Sequence, residues 1–178
     1  MKEISVLDKT FKRFKNVEEI NTSIKVIAEK INKDYEGKTP LFLGVLNGCF
    51  LFAADLLREI TLDCEVSFVK VASYKGMKST GEVNQLIGLD RSLEGRDVII
   101  VEDIVDTGNT IENIVELLTK AGCNSIKIAT FLLKPEAYKK SIKVDYVAME
   151  IANKFVVGYG LDYDGFGRNV KELYVLKD

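Results

Sequence analysis

The segment VIIVEDIVDTGNT, residues 98–110, places two adjacent carboxylates, Glu102 and Asp103, just ahead of a polar turn, Asp106-Thr107-Gly108-Asn109. Carboxylates accept hydrogen bonds from sugar hydroxyls, bind Mg²⁺ directly or through water, and favour positive charge developing nearby. The turn suits a different group. Four aliphatics, Val98 to Val101, read as a strand buried on both faces. From Thr110 the chain runs TIENIVELLTKAG, with Ile111, Ile114, Val115, Leu118 and Ala121 on one helical face and Gly122 placed to end the helix. Asp106 to Asn109 therefore lie between strand and helix, where unpaired N–H groups and the helix dipole attract an anion. A phosphate cradle beside groups suited to a sugar and a cation points to a phosphoribosyl ligand; the plainer reading is a turn whose Asp106 and Thr107 cap the helix. Two other phosphate patterns are absent: no G-x-x-x-x-G-K-[S/T] loop occurs, and no G-x-G-x-x-G opens a helix.

Composition narrows the chemistry further. The chain has 178 residues and no histidine, so acid-base work falls to carboxylates, lysines or tyrosines. Its formal charge is −2 with both signs interspersed, which leaves no electrostatic footprint for nucleic acid or an anionic membrane. Cys49, Cys64 and Cys123 lack C-x-x-C spacing and read as free thiols in a reducing compartment, chiefly as small buried hydrophobes. The charged start MKEISVLDKTFKRFKN is not a signal peptide, and no apolar run reaches membrane-spanning length. A cytoplasmic small-molecule enzyme is expected.

The elements that must hold these residues alternate along the chain. Asn16 is placed to cap a helix carrying Ile20, Ile24, Ile27 and Ile31, ending near Gly37. Leu41–Leu46 reads as a buried strand and 50–60 as a helix, with Asn47 and Gly48 between them forming a second candidate anion turn. Strands are expected at 65–71 and 83–89, a turn at 91–96, strands at Ser125–Leu133 and 144–151, and a short terminal strand at Leu173–Leu176. No repeat, low-complexity tract or linker divides the chain, so residues 1–178 read as one α/β domain with a mainly parallel twisted sheet flanked by helices. Ligands of such sheets bind at the carboxyl ends of strands, where Asn47, Glu102 and Lys134 should emerge.

VIIVEDIVDTGNT resembles the phosphoribosyl pyrophosphate signature of type I phosphoribosyltransferases, and FVVGYGLDYDGFGR resembles their 6-oxopurine, hypoxanthine-guanine branch; the resemblance runs from about residue 41 to the C-terminus. It implies a type I phosphoribosyltransferase fold with a flexible lid, Mg²⁺ as cofactor, and a homodimer or homotetramer. The implied reaction is transfer of a phosphoribosyl group from phosphoribosyl pyrophosphate to a purine base in nucleotide salvage. Carried over by residue, Glu102, Asp103, Ile104, Val105, Asp106, Thr107, Gly108, Asn109 and Thr110 hold the 5-phosphoribosyl group. Asp106 is the general base at purine N7, and Glu102, Asp103 and Asp162 are metal ligands. Lys134, Lys154, Phe155, Val156 and Asp162 line the purine, with Lys134 donating to the 6-oxo group, Phe155 stacking and Val156 offering main-chain contacts. Asn47, Gly48 and Arg168 bind pyrophosphate, and Ser73 and Tyr74 belong to the lid over residues 73–81.

Without the resemblance, Lys134 and Arg168 would be surface charges, Phe155 a core residue, and 73–81 a plain loop. The chain departs from the family at Asn47, where relatives often carry a basic residue, and at Ala152, where many have proline. Two alternatives remain at this level: another type I transferase with a different base, and a non-catalytic nucleotide-sensing regulator on the same fold.

Overall fold

The computed structural model of the chain describes residues 2–70 and 92–177; Ser73, Tyr74, the expected lid at 73–81 and the expected strand at 83–89 lie outside the described residues. In chain order the elements are β1 (Glu3–Val6), β2 (Lys9–Lys15), α1 (Val17–Asp34), β3 (Leu41–Leu46), α2 (Phe50–Glu59), β4 (Glu65–Lys70), β5 (Asp97–Val105), α3 (Asn109–Lys120), β6 (Ser125–Leu133), β7 (Tyr146–Glu150), β8 (Val156–Val157) and β9 (Leu173–Leu176).

Among the described residues five strands form a parallel sheet in the order β4-β3-β5-β6-β7. Its central strands β3 and β5 are buried on both faces, which is why they read as unbroken aliphatic runs. One face packs Phe42, Ile99, Val101 and Phe131 against Ile20, Ile24 and Ile31 of α1 and Phe52 and Leu56 of α2. The other packs Leu43, Val45, Val98 and Ile100 against Ile111, Ile114 and Leu118 of α3. The helices after β3 and β5 thus leave to opposite faces, making the junction of these two neighbouring strands the topological switch point. Their pairing stops at Gly44 with Val101, whereas β5 stays paired to β6 as far as Val105 with Leu133. A crevice opens there, between the end of β3 and residues 102–105.

The helix cap foreseen at Asn16 is formed, and it is a reciprocal capping box, with Asn16 accepting from the Glu19 N–H and Glu19 accepting from the Asn16 N–H. Two expectations need correction. Strand β5 does not end with its aliphatics but continues through Glu102 to Val105, because β6 runs alongside and supplies partners for its backbone. Leu173–Leu176 joins a second, antiparallel sheet, β1-β2-β9-β8, instead of the parallel one. The N-terminal strands of this small sheet were not foreseen: in KTFKRFK only Phe11 is fully buried, while Phe14 is largely exposed, so no period-two pattern marks the segment. Among the described residues no helix is long and apolar enough to cross a membrane. All three cysteines are free, and burial raises the Cys49 thiol to about 12, leaving it an unreactive core residue.

Glu172 ties the small sheet together, accepting from Lys2 Nζ at 2.8 Å, Arg13 Nη1 at 3.1 Å and the Tyr174 hydroxyl at 2.9 Å. The Lys2 hydrogen bond leads the effects that lower its carboxyl to about 2. A carboxyl depressed on folding stabilises the protein above its unfolded pKa, and that contribution is lost as pH falls through the folded value. Melting temperatures from pH 7 to pH 2 should therefore fall more steeply for the wild type than for Glu172→Gln, the two converging below about pH 4.3, the unfolded value. Parallel curves across that window would remove Glu172 as an acid-labile anchor.

Candidate active site

Helix α3 begins without a side-chain cap. Its N-cap is Gly108 at φ 87°, and the first intrahelical bond runs from the Glu112 N–H to the Gly108 carbonyl at 3.0 Å. The N–H groups of Asn109, Thr110 and Ile111 precede that bond and face the turn as free anion donors. Glu102 and residues 104–111 line a half-open cavity of about 80 Å³ at this turn. The cap reading of Asp106 and Thr107 is thus not what the structure builds. Gly108 is required sterically as well as conformationally, since a Cβ would meet Tyr138 at 2.5 Å and Lys140 at 2.7 Å. Tyr138 and Lys140 back the cradle, a role for which the sequence carries no signal.

The acidic pair lies at the crevice. Glu102 is buried, and its Oε2 has no hydrogen-bond partner. Burial pushes its carboxyl well above the ordinary range, and the neighbouring Asp103 charge pushes it the same way. Burial raises Asp103 too, against the hydrogen bonds it accepts and the Arg168 charge. Asp103 Oδ1 accepts from the Ile104 N–H at 2.9 Å, and its carboxylate lies where a Cβ on Gly48 would collide with it. Only glycine lets the loop after β3 approach this closely. The Leu46–Asn47 peptide preceding it is cis.

The ends of β5 and β6 bring Asp106 and Lys134 together. One residue beyond the Val105–Leu133 pair, Lys134 Nζ meets Asp106 Oδ2 at 2.8 Å; the lysine is buried and the aspartate partly exposed. A buried lysine needs such a partner, and this pairing distinguishes Lys134 from the solvated lysine that composition alone suggests. Sequence reasoning named both residues but not their contact.

The remaining residues lie on the small sheet and the loop following it. Phe155, 43 % exposed, is supported by Phe11 at 6.1 Å and Tyr163 at 5.8 Å between ring centroids, which leaves ring surface free to stack. Leu176 N–H bonds to the Phe155 carbonyl, so the Val156–Val175 pair is of the non-hydrogen-bonded kind. The N–H and carbonyl of Val156 therefore point to the free edge of β8, available to a ligand. Lys154 is exposed, and its N–H closes the preceding turn onto the Ala152 carbonyl at 2.7 Å, so the loop is held there without proline. Arg168 Nη2 pairs with Asp162 at 2.6 Å, and Nη1 donates to the Gly160 carbonyl at 2.7 Å. Asp162 also accepts from the Gly165 N–H. Among the described residues no three acidic, cysteine or histidine side chains form a metal cluster, so Asp162 does not join Glu102 and Asp103 in one.

Comparison with known proteins gives a consistent match. The family model described as phosphoribosyl transferase domain matches residues 12–164. A hypoxanthine-guanine phosphoribosyltransferase of Lactococcus lactis is 47% identical over 161 residues, 90% of this chain and 87% of the relative. Among solved structures, a hypoxanthine-guanine phosphoribosyltransferase of Bacillus anthracis superposes with a TM-score of 0.84 at 32% identity, covering 94% of this chain and 98% of that one. A hypoxanthine phosphoribosyltransferase of Staphylococcus aureus gives 0.83 at 38% identity, covering 93% and 92%.

A buried carboxyl whose pKa rises on folding destabilises the protein increasingly as pH climbs from the unfolded to the folded value, and stays costly above it. Glu102→Gln keeps the shape, removes the charge and lets an amide N–H reach Asp103. Without ligands the variant should melt about 2 to 4 °C higher at neutral pH, the equivalent of roughly 1 kcal/mol, and show no gain near pH 4. Equal melting temperatures at both pH values would mean that Glu102 carries no buried charge.

Proposed function

Because this chain belongs to the hypoxanthine-guanine phosphoribosyltransferases, a branch of the phosphoribosyl transferase domain family, we propose that its cradle, its acidic pair and its Asp106–Lys134 ion pair divide one transfer reaction among them. The enzyme is a pentosyl transferase of purine salvage: N9 of hypoxanthine or guanine displaces pyrophosphate from phosphoribosyl pyrophosphate, giving IMP or GMP. Residues 107–110 bind the 5′-phosphate through the free N–H groups at the start of α3. Glu102 and Asp103 accept from the ribose hydroxyls and favour the positive charge that grows at the anomeric carbon as pyrophosphate leaves.

The same two carboxylates fit a divalent cation. Their oxygens are hard donors, Glu102 Oε2 lacks any partner, and a Mg²⁺ held by one or two carboxylates takes the rest of its shell from water and substrate. When bound, Mg²⁺ neutralises charge on the leaving pyrophosphate. Arg168, whose planar fork already meets two oxygens, and the Gly48 loop receive that leaving group.

The observation that carries the base assignment is the ion pair at the ends of β5 and β6. Lys134 has donors and no acceptor, so an arriving 6-oxo group can take one of its N–H bonds from Asp106. Asp106 is then free to exchange the proton at purine N7. Phe155 stacks on the ring, a contact worth about 1 to 3 kcal/mol per base in other systems. Val156 offers its edge N–H and carbonyl, and Asp162 and Lys154 flank the pocket. Pyrophosphate release measured with each base, phosphoribosyl pyrophosphate and Mg²⁺ tests the whole reading.

Two variants separate the roles. Asp106→Asn should lower kcat by about 10² to 10⁴ with little change in substrate binding if the carboxylate transfers the proton; steady-state kinetics with near-normal kcat would reduce it to a partner of Lys134. Adenine presents a donor where Lys134 also donates, so it should be a very poor substrate. Lys134→Ala should lower kcat/KM for hypoxanthine and guanine most, narrowing the gap to adenine. A wild type that uses adenine as readily as hypoxanthine would contradict the role of Lys134.

A further inference from the structure

A left-handed turn lies directly behind Arg168. Gly158, Tyr159 and Gly160 have φ values of 96°, 49° and 94° in succession. Glycine adopts this region freely, whereas a bulky side chain there is an outlier that persists only where its surroundings fix it. The surroundings of Tyr159 are specific. Its ring is buried 4.7 Å from Phe131, and its N–H bonds to the Val170 carbonyl at 2.7 Å. Its hydroxyl donates to Asp55 Oδ2 at 2.6 Å, across to α2, while Asp55 Oδ1 accepts from Arg58 at 3.1 Å. Burial, reinforced by Asp55, raises the Tyr159 hydroxyl pKa and keeps it a donor.

The turn meets the site at Gly160. Its carbonyl accepts from Arg168 Nη1, its N–H bonds to the Arg168 carbonyl at 3.0 Å, and a Cβ there would collide with the Gly48 carbonyl. Gly160 therefore touches both groups assigned to pyrophosphate, the guanidinium and the loop after β3. We propose that Asp55 and Tyr159 are positioning residues for the pyrophosphate half of the site: their hydrogen bond locks the 158–160 turn to α2, and through Gly160 sets the aim of Arg168 and the seat of Gly48. This rests on the reading of Arg168 and Gly48 as pyrophosphate ligands. The purine half hangs on other supports, the β8–β9 ladder for Val156 and the β5–β6 ladder for Lys134. Weakening the lock should therefore be felt on one side of the site only.

Tyr159→Phe keeps the ring against Phe131 and removes only the hydroxyl, so it should fold, as melting temperature can verify. We expect KM to rise about 3- to 10-fold for phosphoribosyl pyrophosphate in the forward direction and for pyrophosphate in the reverse, the scale of one ordinary hydrogen bond. KM for hypoxanthine should be unchanged and kcat should stay within about twofold. Asp55→Ala should match Tyr159→Phe, the double variant should be no worse than either alone, and Asp55→Asn, which retains an acceptor, should recover most of the loss. Wild-type KM values in Tyr159→Phe and Asp55→Ala, or an equal rise for hypoxanthine, would overturn the proposal. Arg168→Gln separates the two levels of inference. If it raises KM for pyrophosphate while Tyr159→Phe does not, the positioning role alone falls; if it leaves that KM unchanged, the pyrophosphate reading of Arg168 falls and the proposal with it.

Discussion

A carboxyl buried within a parallel strand, one residue past the point where β3 parts from it and with one oxygen lacking a partner, is the constraint around which the crevice is arranged. Leaving Glu102 there is unfavourable for the unliganded fold, since the group must either carry an unsatisfied charge or take up a proton. Asp103 beside it adds like charge, and the nearest structural responses are glycines: Gly48 against Asp103, and Gly160 against Gly48. Those close approaches leave no room for side chains that would relieve the acidic pair. In the proposed reaction the pair would meet groups that arrive with the substrate, hydroxyl donors and a divalent cation, so that stability surrendered here would be recovered on binding.

Sheet topology explains why the crevice is at this place. Strands β3 and β5 lie side by side but send their helices to opposite faces, so they part at Gly44 and Val101 while β5 remains paired to β6. In the proposed reaction the side of β5 that loses its partner is the phosphoribosyl side. The side that keeps its partner delivers Lys134 to Asp106 one residue past the last pair. In that reading one strand would serve both halves of the reaction, with a paired ladder to hold the base-recognising lysine and an unpaired edge to admit the sugar phosphate. The small antiparallel sheet adds a third support. It is fastened by Glu172 to the N-terminal strands and gives Phe155 its aromatic backing and Val156 its free edge.

Local pattern sufficed for the parallel sheet, its helices and the turn between β5 and α3, because each depends on short-range physics: an aliphatic run, a three-four periodicity, a glycine before a helix. The extension of β5 to Val105 and the N-terminal pair β1 and β2 did not show, since both owe their form to a neighbouring strand and not to their own residues. Residue types singled out Glu102, Asp103 and Asp106 as candidate chemistry, and the family resemblance added Lys134, Phe155 and Arg168. Only the tertiary structure decided who faces whom: Lys134 with Asp106, Asp162 with Arg168, Gly48 with Asp103, Tyr159 with Asp55. Apart from Asp162 and Arg168, such partners lie tens to about a hundred residues apart, so spacing along the sequence cannot encode their contact. It is set by strand register and by how closely two backbones pack, quantities that exist only once the sheet has formed.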